Sequence, residues 1–209
     1  MVQQRTEAVA GEVDALRERL LDAAARVFAK KGYAGTRILD VVAEAGLSTG
    51  AVYGRFSSKN ELLREAVCSR TARVSVDTDS GAKVADLLVR AALRTDPLSD
   101  PEAMQLEAFV AARREPEVAQ ALDAATAVFR TRSGPLLDAA RTDGTLSEDI
   151  DNEAFLYFLR TFRLGLMLQR AAGLRPPAVG WEDLIERMVA AFGADADGLR
   201  PPTRTRGAR

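Results

Sequence analysis

The chain has 209 residues, of which 47% are hydrophobic and 28% are charged, the balance of an ordinary globular protein with a sizeable core. It contains no histidine and a single cysteine, which excludes a Ser-His-Asp triad and a Cys/His zinc site. Residues 1–75 carry 12 Lys and Arg against 9 Asp and Glu, whereas residues 76–209 carry 17 against 21. This small asymmetry weakly favours contact between a polyanion and the N-terminal part. We expect no enzyme activity, no cofactor and no metal.

The composition also predicts where the protein resides. The lone Cys68 excludes an internal disulfide and fits a reducing cytoplasm. The most apolar stretch, residues 154–173, is interrupted by Arg160, Arg163 and Arg170, more charge than a membrane span tolerates. No apolar run follows the start, so we expect no secretory signal. These features together predict a cytoplasmic protein that does not enter a membrane.

Helical periodicity begins with one long amphipathic segment, and no strand pattern appears along the chain. The first helix is predicted to close at Gly32. Its apolar face comprises Leu16, Leu20, Ala24, Val27 and Phe28. A second helix is predicted to start after Thr36, taken as its N-cap, and to stop at Ala45-Gly46.

Two further helices complete the N-terminal pattern. The third is predicted to begin at Ser48 and to bury Val52 and Phe56, four residues apart. The fourth opens at a capping box, with Ser58 at the cap and Glu61 three residues later.

The C-terminal half continues as helices after a polar break at residues 75–82. Helices are predicted from Val84, Asp100-Pro101, Glu115-Pro116, Asn152 and Trp181, with a possible bend in the third at Ser133-Gly134-Pro135. In the Asp100 helix, the apolar residues are Leu106, Phe109 and Val110. Residues 152–173 are apolar on nearly every side, which predicts burial by more than one neighbour.

Residues 36–63 have the layout of a helix-turn-helix, since a tight turn at Ala45-Gly46-Leu47 joins two short helices. At about 100° per residue, Gly50 and Gly54 lie opposite Val52 and Phe56, with Thr49 and Tyr53 on their flanks. A glycine costs about 1 kcal/mol in a helix interior. That cost is useful if the backbone must approach a DNA groove closely. The alternative is a helical hairpin whose glycines merely allow tight packing.

The sequence from Ser48 to Phe56, followed by Lys59 and Leu62, resembles the signature of TetR-family regulators. Phe28, Gly32-Tyr33, Thr36 and Ala45-Gly46-Leu47 occur at matching spacings, and the resemblance covers residues 14–67. It implies an all-α fold with an N-terminal three-helix helix-turn-helix DNA-binding domain and a C-terminal helical ligand-binding and dimerisation domain. The expected segments are a flexible arm (1–13), a DNA-binding domain with its linking helix (14–74), an effector and dimerisation domain (75–193) and a disordered basic tail (194–209).

The resemblance and the helix geometry together give a set of candidate DNA contacts. Thr49 suits base edges or phosphate, Tyr53 suits phosphate, and the helix start at Ser58 and Lys59 suits a phosphate. Family members often have an aromatic residue or histidine where this chain has Gly54 and Arg55, so operator sequence is not carried over. The candidates are Thr36, Arg37, Ser48, Thr49, Gly50, Tyr53, Gly54, Arg55, Ser58 and Lys59.

Two further sites are predicted in the C-terminal half. The effector pocket is expected to bind an apolar or aromatic molecule, with an acidic group as a further option. Its candidate lining is Phe109, Arg113, Phe129, Phe158 and Phe162. The homodimer interface is expected to double two apolar helices into a four-helix bundle. Its candidates are Leu164, Gly165, Leu168, Trp181, Leu184, Ile185, Met188 and Phe192. For each set, plain core packing is the competing interpretation.

The sequence therefore predicts a regulator, by prior a repressor, that binds double-stranded operator DNA as a homodimer and is released by a small-molecule effector. A helical interaction module, or a small-molecule-binding protein without DNA binding, is the alternative. A small helical enzyme is disfavoured by the missing histidines.

Overall fold

The computed structural model describes residues 2–75 and 83–193, with side chains at 15–69 and 83–193. All regular structure in these ranges is helical, which confirms the predicted all-α class. The nine helices of the described residues are α1 (Val2–Gly35), α2 (Ile38–Ala45), α3 (Thr49–Tyr53), α4 (Lys59–Ser75), α5 (Val84–Leu93), α6 (Asp100–Ala111), α7 (Pro116–Thr142), α8 (Asn152–Ala171) and α9 (Trp181–Ala190). None of them is both long and apolar enough to cross a membrane.

The chain forms two compact units. The first contains residues up to 75 and 98–131, which places α1 to α4, α6 and the first part of α7 together. The second contains α5, the rest of α7, α8 and α9. The functional division at residues 74–75 stays a prediction, as does the disordered tail, which lies outside the described residues.

The first helix is interrupted at Gly32, where the sequence predicted its end: the φ of 66° and ψ of 173° at this residue break the helical path, and helical residues continue to Gly35. At its other end α1 extends to Val2, well into the segment expected to be a flexible arm. Residues 2–13 contain no proline and several alanine, glutamine and glutamate residues, which favour helix.

The N-cap of α2 is Arg37 and not Thr36, so that prediction was wrong by one residue. Thr36 is only 2% exposed, and its hydroxyl donates to the carbonyl oxygen of Gly32 at 2.7 Å. At the start of α2 the carboxylate of Asp40 accepts from the Arg37 N–H at 2.9 Å. Asp40 also binds Lys31 at 2.7 Å, and these hydrogen bonds lower the pKa of its carboxyl.

One hydrophobic core joins the helix-turn-helix to α6 and α7. It comprises residues from every helix of the first unit, and nearly all of its large side chains are excluded from solvent. Its largest fully buried members are Phe28, Phe56, Leu20, Leu21, Leu62, Leu63, Met104 and Val41. The N-terminal helices therefore share their core with α6 and the first part of α7.

The buried face of α6 differs from the one expected from its apolar residues. Met104 and Ala108 are inside, whereas Val110 is 60% exposed and Leu106 and Phe109 are half-buried. The helix begins with a capping box in which the Ser99 N–H and hydroxyl both donate to Glu102 at 3.0 Å. These bonds satisfy the carboxylate of a residue that is 2% exposed. The hydrophobicity pattern could not show this, because it counts Glu102 as a surface residue.

In the second unit, α8 contributes one buried face and not the all-round burial that its composition predicts. Phe155, Leu156 and Met167 are buried, whereas Tyr157 is 67% and Leu168 is 57% exposed. A cluster of aromatic rings holds the inner face. In it Phe158 stacks on Phe162 with centroids 5.7 Å apart, and Phe192 meets Phe155 edge-on at 5.1 Å.

Met104→Ala tests the position of α6 in the first core. Because Met104 is fully buried, we expect a loss of about 2–5 kcal/mol in the free energy of unfolding. The matched control is Val110→Ala on the same helix, for which we expect a change within about 0.5 kcal/mol. Urea denaturation followed by circular dichroism measures both. A larger loss for Val110→Ala than for Met104→Ala would contradict the observed orientation of α6.

Candidate nucleic-acid interface

The turn between α2 and α3 is set by a left-handed glycine. Gly46 has φ 63° and ψ 38°, a conformation that other residues adopt only with strain. The Leu47 N–H donates to the Val42 carbonyl at 3.2 Å, which closes the end of α2. Arg19 of α1 donates to the Ala45 carbonyl at 3.0 Å. The angle between α2 and α3 is therefore held from both the turn and α1.

The five-residue helix α3 is anchored along one side. Ser48 is its N-cap and accepts from the Ala51 N–H at 3.3 Å, as predicted. Val52 is fully buried, and Phe56, just beyond the helix, is 2% exposed. Leu47 packs against the same core.

The opposite side of α3 is open. Thr49, Gly50 and Gly54 are exposed, and Tyr53 is 54% exposed. A Cβ added at Gly50 would meet no atom within 4 Å, whereas one at Gly54 would lie 3.2 Å from the Gly50 carbonyl oxygen. Packing inside the protein thus accounts for a small residue at position 54 but not at position 50.

Lys59, at the start of α4, is held by Tyr33. Its ammonium donates to the Tyr33 carbonyl at 2.9 Å and lies 4.1 Å from the centroid of the Tyr33 ring. The Tyr33 hydroxyl donates to the Asn60 side chain, and burial raises the pKa of Tyr33. Because an ammonium has three donors, Lys59 keeps donors for a phosphate while its position is set from within.

The capping of α4 differs in one respect from the predicted box. Ser58 accepts from the Glu61 N–H at 3.1 Å, as expected. The Glu61 carboxylate, however, accepts from the N–H and hydroxyl of Ser57 at 2.7 and 2.6 Å, and these bonds lower its pKa. A carboxylate therefore occupies the Ser57 N–H, which is unavailable to a phosphate unless Glu61 moves. The Ser57-Ser58 doublet was the sequence signal for this arrangement.

The remaining candidate DNA contacts are placed differently from one another. Arg37 is exposed beside the start of α2. Arg55 is half-buried and its guanidinium donates to the Ala51 carbonyl at 3.4 Å, so it lies along α3. Thr36 is buried, and its side chain is not presented at the surface. The other nine candidates lie between the start of α2 and the start of α4, and none of them is fully buried: Arg37, Ser48, Thr49, Gly50, Tyr53, Gly54, Arg55, Ser58 and Lys59.

The same region matches a known protein family. Residues 20–66 match the family model for bacterial regulatory proteins of the tetR family. The N-terminal part of the chain is thus similar to the tetR family of bacterial regulatory proteins.

Individual relatives agree with this assignment in the N-terminal part. The chain is 46% identical over 50 residues to the HTH-type transcriptional regulator YerO of Bacillus subtilis, which covers 24% of this chain and 17% of YerO. It is 40% identical over 57 residues to the HTH-type transcriptional repressor KstR2 of Mycobacterium tuberculosis, which covers 27% of this chain and 28% of KstR2. The matches thus span less than a third of each relative.

Solved structures extend the likeness in fold to most of the chain. Salmonella enterica GusR superposes with a TM-score of 0.69 at 22% identity, covering 85% of this chain and 95% of GusR. A TetR-family transcriptional regulator from Cytophaga hutchinsonii gives 0.64 at 18% identity, with 87% and 96% covered. A regulator from Saccharomonospora viridis in complex with choline gives 0.56 at 22% identity, with 86% and 95% covered. At these identities the likeness shows the fold.

The predicted effector residues belong to different units. In the first, Phe109 and Phe129 are half-buried and Arg113 is exposed. In the second, Phe158 and Phe162 are half-buried and stacked on each other. Each group of residues lies within its own unit, and a pocket lined by both groups stays a prediction.

The predicted dimer residues divide into an outer and an inner group. Gly165 is exposed, Leu168 is 57% and Leu184 is 56% exposed, while Ile185 is 2% exposed and faces the core of its own unit. The half-buried members are Leu164, Trp181, Met188 and Phe192. The exposed residues Gly165, Leu168 and Leu184 are accessible to a partner, whereas Ile185 contributes to the core of its own unit.

Gly50→Ala separates the requirements of DNA binding from those of folding. The added methyl has free space and improves helix propensity by about 1 kcal/mol, so we expect an unchanged or raised melting temperature. We expect affinity for DNA to fall, because the methyl lies on the face that approaches the groove. Fluorescence anisotropy with a labelled duplex measures the second effect.

Gly134→Ala in α7 is the matched control, since its added Cβ also meets nothing within 4 Å. It should leave DNA affinity unchanged. Equal affinities for Gly50→Ala and the parent protein would show that this face does not approach DNA closely.

Proposed function

We propose that the chain is a transcription regulator that binds a near-palindromic operator as a homodimer, represses transcription and is released by a small-molecule effector. The observation that carries the proposal is the open face of α3, where the fold leaves space beside Gly50 that it does not itself use. The N-terminal match to regulators, one of them named a repressor, supports the same conclusion.

The contacts with DNA follow from the chemistry of this face. Inserted in the major groove, α3 presents the Thr49 hydroxyl to base edges and the Tyr53 hydroxyl to a phosphate. Arg37, exposed at the start of α2, and Lys59, held by Tyr33, supply positive charge on either side of α3 in sequence. Arg55 lies along α3 and adds charge near the same face.

A homodimer is supported by the exposed apolar residues of α8 and α9. Tyr157, Gly165 and Leu168 recur at helical spacing on the outer side of α8, and Leu184 is exposed on α9. Exposed apolar side chains on two helices are suited to burial in an interaction surface. Doubling two helices about a two-fold axis gives a four-helix interface that buries them.

Effector release is supported at the level of the fold. The Saccharomonospora viridis regulator with the same fold holds choline, so this architecture can bind a small organic molecule. In the present chain, a ligand would act by binding the DNA-competent and released states with different affinities. The effector of this chain is not given by that relative, because the likeness is one of fold.

Selection of bound duplexes from a random DNA pool tests the DNA-binding part directly. We expect a near-palindrome whose half-sites are about one helical turn apart, roughly 34–36 Å. Tyr53→Phe should weaken binding to all sequences, because a phosphate contact carries no sequence information. Folded, dimeric protein that enriches no motif at low salt would overturn the proposal in favour of an interaction module.

The dimer is tested by placing charge on its proposed surface. The double substitution Leu168→Glu and Leu184→Glu should convert the protein to monomer, because like charges would be buried against each other across the two-fold axis. Val179→Glu is the control, since Val179 is 89% exposed in the loop before α9. Sedimentation velocity at micromolar concentration reports the state. A double variant that stays dimeric would place the interface elsewhere.

A further inference from the structure

A small cavity lies at one end of the second unit. It is formed by the end of α5, the last two turns of α8, the connection from residue 172 to 180 and the start of α9. Its volume is about 290 Å³, near the lower limit of roughly 300–1,000 Å³ for sites that enclose organic ligands. None of the aromatic residues selected from the sequence as effector lining belongs to it.

One wall of the cavity is flat and apolar. The indole N–H of Trp181 donates to the Ala92 carbonyl of α5 at 3.0 Å, which fixes the orientation of the ring. Leu166 and Leu174 complete the apolar lining, and Pro176-Pro177 adds a stiff segment of the connection. This wall suits a planar or compact apolar group.

The rest of the cavity lining is largely positively charged. The side chain of Arg170 is only 7% exposed. Its guanidinium donates to the Asp96 carboxylate at 3.2 Å and to the Asp96 backbone carbonyl at 2.9 Å. Arg94 also binds the Asp96 carboxylate, at 2.6 Å, and this bond with the nearby Arg170 charge lowers the pKa of Asp96 to about 2. Asp96 thus holds two of the guanidinium groups of the lining in place.

Arg175 adds a third guanidinium to the lining. It lies on the connection between α8 and α9 and makes no ion pair with any described residue. Gln169, also in the lining, offers amide donors to the same cavity. A guanidinium with uncommitted donors at the mouth of an apolar cavity is suited to a carboxylate, which it can bind through two parallel hydrogen bonds.

We infer that this cavity binds a small organic carboxylate, with its apolar body against Trp181 and its carboxylate on Arg175. The cavity selects against cations, because each of its ionisable lining residues is an arginine. As the site of the effector, this inference rests on the proposed function. As a binding site, it rests on the cavity alone.

Trp181 is the only tryptophan of the chain, so its fluorescence reports on the cavity directly. The probe is 3-phenylpropionate, compared with its neutral amide and with 3-phenylpropylamine, which match it in shape. We expect a saturable change in emission with the carboxylate, at least about tenfold weaker binding of the amide, as loss of a charged hydrogen bond implies, and no response to the amine. Equal binding of the carboxylate and the amide, or no saturable response to the carboxylate, would overturn the inference.

Two variants test the role assigned to Arg175. Arg175→Gln removes the charge from an exposed position in the connection. Gln169→Glu adds a negative charge to the lining of the same cavity. Both should weaken binding of 3-phenylpropionate by about tenfold or more. Arg187→Gln is the control, since Arg187 is 77% exposed on α9 and pairs with Asp183 outside the cavity. Unchanged affinity in both test variants would show that the carboxylate binds elsewhere.

Operator binding, measured in the same samples, keeps the two proposals apart. A fluorescence response without any change in operator affinity supports the carboxylate site and contradicts its role as the effector site. Release of operator by 3-phenylpropionate that survives Arg175→Gln and Gln169→Glu overturns the site while supporting regulation by a ligand. A protein that binds the carboxylate through Arg175 but no DNA refutes the proposed function alone.

Discussion

The helix proposed to face DNA, α3, depends on hydrophobic contacts made outside it. Five residues are far fewer than the ~12–15 at which isolated helices become even marginally stable in water, so α3 exists because its surroundings hold it. Val52 and Phe56 are buried in a core supplied by α1, α4 and α6, and Gly46 sets the angle of entry. Loss of this burial would therefore disrupt the exposed face of α3, although none of the residues proposed to contact DNA would have changed.

The break at Gly32 links this core to the charges around α3. A side chain at position 32 would be strained by the φ of 66°, and its Cβ would lie 2.9 Å from a carboxylate oxygen of Glu107. The break positions the Tyr33 carbonyl to receive Lys59 and lets the Thr36 hydroxyl bond back to Gly32.

Local signals explain what the sequence could predict. The turn at Gly46, the cap at Ser48 and the pair Val52 and Phe56 depend on neighbours within a few residues, and all three occur as predicted. Burial on α6 was mispredicted because it depends on tertiary contacts and on the bond between Ser99 and Glu102. The cavity at Trp181 was missed for a similar reason, since its lining comes from three helices and a connection, and only their packing brings the arginines together.

The last turns of α8 carry two surfaces at once. Leu166 lines the cavity, while Leu168, two residues later, is 57% exposed. At about 100° per residue, these side chains point to nearly opposite sides of the helix. A ligand against Leu166 therefore presses on the same turn that presents Leu168 to the proposed partner. Any shift of α8 that accommodates the ligand is transmitted to that surface, because a helix with an intact hydrogen-bond ladder moves as one body over a single turn. The connection that carries Arg175 ends at Gly180, the residue before α9, so α9 is tied to the same cavity from its first residue, Trp181.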